Sequence, residues 1–140
     1  MFPKIAVLLL LAASSLADLR HKVLPPALAA AAGAAGLYYT LFMRADPPLR
    51  VLASFLPGLL ILAVSRCTRG AIGTGDALCV FILGLFYPLL SVTLILVTAL
   101  FIVFMTVIPL LTLRKIRYAD PLPFLPFLLA GFVCFLFFTA

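Results

Sequence analysis

The sequence has little acid and few metal ligands: four acidic residues in 140, all of them aspartate, and a single histidine. Cys67, Cys79 and Cys134 show no CxxC spacing. Neither a zinc site nor a disulfide framework is indicated, and the thiols read as buried or loop residues with no special task. Charged residues of both signs reach only 10%, too few to cover a soluble domain of this size. Strict apolar/polar alternation is missing as well, which argues against a membrane β-barrel. The net charge is +6, carried by ten Lys and Arg. These bases sit singly or in small groups between apolar runs, the pattern of membrane loops rather than of a nucleic-acid surface.

What is present is apolar length. Hydrophobic residues make up 66% of the chain and the mean hydropathy is +1.35. A helix that crosses the hydrocarbon layer takes about 20 apolar residues, so the chain holds roughly six crossings and little else. Six apolar runs, at residues 2–18, 24–43, 50–65, 72–87, 89–113 and 121–139, fill it as a single six-helix domain over 1–140. Pro88 marks a tight turn between the fourth and fifth. In the second run, Ala29/Gly33 and Ala32/Gly36 have the small-xxx-small spacing that admits a close neighbour.

Direction follows from the loop bases. With the N-terminus outside, Arg20, Lys22, Arg66, Arg69, Arg114, Lys115 and Arg117 face the cytoplasm, and only Lys4, Arg44 and Arg50 lie outside. That asymmetry predicts an N-out, C-out all-α membrane protein. Lys4, the stretch Ile5–Ala13 and Ser15-Leu16-Ala17 imitate a cleavable export signal. The stronger positive charge at Arg20 and Lys22 nevertheless holds this segment as a retained helix.

An ionisable group within a membrane helix costs about 2.5–3.5 kcal/mol at the centre on insertion scales and needs a reason. Asp46 and Asp120 lie among loop bases and read as solvated charges. Asp18 and Asp76 do not. Asp18 ends the first run, which travels inward, and Asp76 lies about one turn into the fourth, which travels outward. At about 1.5 Å of rise per residue both carboxylates fall at one depth, near the cytoplasmic face. Two carboxylates at a partly desolvated position share a proton: the ionised one can activate water and the protonated one can polarise a carbonyl. These are the parts of an aspartyl hydrolase that needs no metal and no cofactor. Gly73 and Gly75 flank Thr74 just before Asp76, where they allow close backbone approach.

Taken together these stretches resemble the type IV prepilin peptidases and preflagellin peptidases, membrane aspartyl proteases of the GxGD class. Asp18-Leu19-Arg20-His21-Lys22-Val23-Leu24-Pro25 matches an aspartate closing the first helix, a basic turn and a proline seven residues on. Gly73-Thr74-Gly75-Asp76 matches the GxGD string. Pro123-Phe124-Leu125-Pro126-Phe127-Leu128 looks like the Pro-Phe-Gly-Pro-Phe segment that opens the family's last helix. Two positions depart: Pro26 stands where the family usually has Asn or Asp, and Leu78 where it often has Lys.

The resemblance implies Asp18 and Asp76 as catalytic residues, with Gly73, Gly75 and Pro25 as supporting positions. Pro123, Phe124 and Pro126 become candidate contacts to a substrate helix. The implied substrate is a prepilin-like precursor (pilin, pseudopilin or archaellin type) with a short basic leader and a hydrophobic helix, cut at the cytoplasmic face of a prokaryotic inner membrane. Members that also N-methylate the new terminus carry an extra region with paired CxxC motifs. This chain has none, so peptidase activity without methyl transfer is expected. Two other classes compete: a small proton- or ion-coupled transporter, and a non-catalytic assembly protein of a pilus or secretion system. The first predicts midplane sites and an internal repeat, which the sequence does not display. The second predicts that replacing either aspartate leaves function intact.

Overall fold

Proline punctuates the helices. The structure, a computed structural model, describes residues 1–21, 26–67, 74–113 and 124–139, without the side chains of His21 and Thr74. Within them lie α1 (Phe2–His21), α2 (Pro26–Phe42), α3 (Pro48–Ala53), α4 (Leu56–Cys67), α5 (Thr74–Phe86), α6 (Leu89–Thr112) and α7 (Leu125–Thr139). A proline occupies the first turn or the preceding cap of every one except α5: Pro3, Pro26, Pro48, Pro57, Pro88 and Pro126. Its fixed φ suits a helix start, where the missing N–H would have had no partner anyway. Helix α5 instead opens on Thr74-Gly75-Asp76, with its only acidic residue in the first turn.

The third apolar run is broken, where its sequence reads as one crossing. Pro57 has no N–H to offer the carbonyl of Ala53, four residues back, and its ring crowds that oxygen. The chain therefore leaves the helix at Ala53 and re-enters it at Leu56. Ser54 bridges the break: its backbone N–H reaches the carbonyls of Arg50 and Val51 at 3.1 and 3.2 Å, and its hydroxyl donates to the carbonyl of Val51 at 2.6 Å. Helix α1 also runs beyond its apolar stretch, through Arg20 to His21.

Successive segments alternate in direction, as ring and glycine contacts establish. Phe2 stacks on Tyr39 at 6.2 Å and Tyr39 on Phe86 at 5.7 Å, so the start of α1 meets the ends of α2 and α5. Gly58 near the start of α4 lies against Phe81 in the second half of α5. Tyr87, just past α5, packs edge-on against Phe132 and Phe135 of α7, each at 5.8 Å. Helix α5 is thereby flanked by α2 and α4, and α7 packs on α6 and α1. The buried core gathers Val7, Leu10 and Leu11 of α1, Val80 and Leu83 of α5, Ile95 and Ala99 of α6, and Leu128 and Phe132 of α7.

Three spans are long and apolar enough to cross a membrane: Phe2–Arg20, Pro48–Cys67 across the break, and Leu89–Thr112. Three shorter apolar helices accompany them: Pro26–Phe42, Gly75–Phe86 and Leu125–Thr139. The chain is thus an all-α, multi-pass membrane protein. Leu94, Leu100, Phe101 and Phe104 leave the outer face of α6 apolar and exposed, as a lipid-facing surface requires. Lipid is as apolar as leucine, so close approach and hydrogen bonds hold such helices together. The small-residue expectation for α2 is met in part. A Cβ at Gly36 would sit 2.9 Å from Leu85, whereas Gly33 has nothing within 4 Å. Ala29 and Ala32 both pack against the core, and of the two glycines it is Gly36 that meets α5.

Candidate active site

On α1 the buried positions Val7, Leu10, Leu11, Ser14 and Ser15 form one stripe at helical spacing, and Asp18 extends it by a turn. On α5 the corresponding stripe is Asp76, Cys79, Val80 and Leu83. The two meet at Ser14 and Cys79, where the hydroxyl of the first lies beside the thiol of the second. That hydroxyl is fully buried, with the thiol as its neighbour across the helix contact. Cys79 is also within electrostatic reach of both Asp76 and Asp18.

This contact sets the register. Asp18 lies four residues along α1 from Ser14, about 6 Å of rise, and Asp76 lies three residues back along α5 from Cys79, about 4.5 Å. Because α1 and α5 run in opposite directions, both displacements point toward the same end of the bundle. The carboxylates are level to within roughly 1.5 Å along the helix axes and stand on facing stripes. Asp76 is 8% exposed, and Oδ2 of Asp18 is buried. Asp76 also occupies the first turn of α5, where unpaired backbone N–H groups and the helix dipole favour a negative charge.

The other expected positions divide into two groups. Pro25, Gly73 and Pro123 lie outside the described residues. Gly75 is in the first turn of α5 and half-buried. Phe124 precedes α7 and accepts the N–H of Leu128 through its carbonyl at 3.0 Å, and Pro126 lies in the first turn. Both are half-buried at the same end of the bundle as Asp76, on the side where α7 meets α1. Leu78, at the position where a lysine was expected, is half-exposed. Two residues on from Asp76, it projects from the opposite side of α5. It lines a small apolar recess of about 50 Å³ between α4 and α5, with Gly58, Leu62, Ala77 and Phe81.

Two features escaped the sequence reading. Ser14 and Cys79 join the aspartates in one polar group, signalled only by their positions one turn from Asp18 and one turn from Asp76. At the opposite end, Arg44 and Asp46 are more than loop charges. The Arg44 side chain is 6% exposed, donates from Nε to Asp46 Oδ2 at 2.6 Å, and donates from one terminal nitrogen to the carbonyl of Gly84 at 2.8 Å. A buried guanidinium closing the C-terminal end of α5 leaves no periodic mark in a sequence.

Residues 5–139 match the family model described as the type IV leader peptidase family. No curated protein and no solved structure gives a match to the chain.

Proposed function

The chain belongs to the type IV leader peptidase family, and we propose that it cuts the leader from prepilin-like precursors with Asp18 and Asp76 as its two catalytic carboxylates. The observation that carries the assignment is the register of α1 on α5, which levels the two aspartates across the Ser14–Cys79 contact. Two carboxylates held close in a desolvated place do not both ionise readily, so the pair carries one proton between them.

The chemistry follows from that shared proton. The ionised carboxylate takes a proton from water as the oxygen attacks the scissile carbonyl carbon, while the protonated partner donates to the carbonyl oxygen. Collapse of the tetrahedral species breaks the C–N bond. The leaving amine takes up the proton drawn from water, and the other returns to the carboxylate that gave it. The pair ends in its starting state, with one water consumed.

The same reading orients the protein in its membrane. All six segments cross, N-out and C-out, in the cytoplasmic membrane of a prokaryote, which puts the aspartate pair near the cytoplasmic face. Loop bases support this direction. Loops and leader are both basic, so long-range attraction contributes little to recognition. Selection rests on the hydrophobic helix of the precursor and on local contacts, for which Phe124 and Pro126 are the candidates.

Cleavage of a prepilin-like precursor by the purified protein in liposomes, followed by mass spectrometry, tests the assignment. Wild type should release the leader, and Asp18→Asn and Asp76→Asn should not, since Asn keeps the shape and removes the acid. Cleavage surviving in either variant would sink the mechanism. Failure of wild type on several leaders would return the transporter and assembly readings.

A further inference from the structure

Apolar packing is non-directional, and lipid competes for it on equal terms. The rotation of one membrane helix against another is therefore fixed by close contacts and hydrogen bonds. Helix α5 has such bonds at its outer end, where Thr40 donates to the carbonyl of Leu85, and Arg44 and Ser54 donate to that of Gly84. They tie α5 to α2, to the segment after α2 and to the break before α4. None of them involves α1. The outer end of α1 meets the bundle through a ring, Phe2 on Tyr39, and such a contact tolerates rotation and sliding.

The rotation of α1 matters more than that of any other neighbour, because α1 carries Asp18. Successive residues of a helix point about 100° apart, so a slip of one residue would carry Asp18 off the stripe that faces α5. Near the carboxylates α1 meets α5 through Ser14 and Cys79. Both are fully buried, and the Ser14 hydroxyl donates to the Cys79 sulfur. Both are also small, which admits close approach of the two backbones; farther out the same stripes carry Leu10, Leu11 and Leu83. The thiol is within electrostatic reach of Asp76 and of Asp18.

We propose that Cys79 is a positioning residue of the aspartate site: its direct hydrogen bond with Ser14 is the clamp that holds α1 in the rotation at which Asp18 faces Asp76. The clamp is directional where the surrounding contacts are not, and it lies one turn from each carboxylate. Neither Cys79 nor Ser14 touches substrate. The inference rests on the assignment of Asp18 and Asp76 and adds to it the contact that keeps them opposed.

The test is a double-mutant cycle across the helix contact. Wild type, Ser14→Ala, Cys79→Ala and Ser14→Ala/Cys79→Ala are compared on one precursor, with Asp18→Asn as the inactive reference. Cys79→Ser and the exchange Ser14→Cys/Cys79→Ser keep a hydrogen-bonding pair. Thermal unfolding is followed in the same detergent. Each alanine variant should lower kcat by roughly 3- to 10-fold with KM unchanged, since no substrate contact is lost. The double variant should be no slower than the slower single one, because either change alone already breaks the clamp. Cys79→Ser and the exchange should keep most of the wild-type kcat.

Alanine variants with wild-type kcat overturn the proposal, even where their melting temperature falls, and leave the pair as packing alone. Losses that multiply in the double variant overturn it as well, since groups that act independently add in free energy. So does a loss that Cys79→Ser shares with Cys79→Ala. Cleavage by Asp18→Asn equal to wild type identifies a different failure, that of the aspartate assignment, and removes this inference with it.

Discussion

The two ends of α5 carry buried charge of opposite sign. At the end near Phe86, the carbonyl of Gly84 accepts from Arg44 at 2.8 Å and shares the Ser54 hydroxyl with Val51, and the carbonyl of Leu85 shares the Thr40 hydroxyl with Gly36. Orphan carbonyls at a helix C-terminus call for such donors, and a guanidinium there also suits the negative end of the dipole. A close backbone contact falls at the same place, since a Cβ on Gly84 would sit 2.5 Å from the carbonyl oxygen of Ser54. At the other end the helix starts without the proline that opens its neighbours, a carboxylate is buried in its first turn, and the Ser14 hydroxyl lies buried against the Cys79 thiol. One end is built to hold, and the other carries the two aspartates to which we assign the reaction. Burial alone does not distinguish them; what differs is the sign of the buried charge, a guanidinium at the C-terminal end and carboxylates at the N-terminal end.

The separation of roles can be broken by experiment. The largest effect is expected from Asp18→Asn and Asp76→Asn, which should reduce cleavage by on the order of 10³-fold or more while leaving the unfolding transition in place. Arg44→Ala should do the reverse. It strips Asp46 and two carbonyls of a buried donor and should cost about 3 kcal/mol of stability, read from unfolding in mixed detergent, with kcat of the folded protein unchanged. A loss of kcat without a loss of stability would show that the Arg44 end takes part in the reaction. The smallest and sharpest comparison is between glycines. Gly84→Ala should destabilise by about 1–3 kcal/mol, whereas Gly33→Ala should be neutral or stabilise by up to about 1 kcal/mol, having nothing within 4 Å. Equal effects at the two positions would contradict the packing of α4 on α5.

The reacting end was more legible in the sequence than the holding end, for a physical reason. Membrane helices alternate in direction and rise by a constant step, so counting residues from each apolar boundary puts Asp18 and Asp76 at one depth before any packing is known. Helix rotation is what such counting leaves out. Ala29/Gly33 and Ala32/Gly36 look equivalent in sequence, yet Gly36 lies against Leu85 and Phe86 while Gly33 has nothing within 4 Å. The break at Ser54 and Phe55 was readable from Pro57, but the continuous hydropathy of the run concealed it. Arg44 and Asp46 read as solvated loop charges because their burial depends on α5, some 40 positions away. Cys79 read as an idle thiol for the same reason: its neighbours Ser14 and Asp18 belong to another helix.

The most direct test of the account is whether Asp18 and Asp76 face one another in the folded protein. With Cys67, Cys79 and Cys134 replaced, the Asp18→Cys/Asp76→Cys pair would be oxidised in native membranes and scored for a bridge by mass spectrometry after proteolysis. The Leu19→Cys/Asp76→Cys pair serves as control, since Leu19 is 60% exposed and leaves α1 in another direction. The facing register predicts rapid bridging, directly or through the shortest bis-thiol reagent, in the first pair and little in the second. No bridge in the first pair, or equal bridging in both, would contradict it.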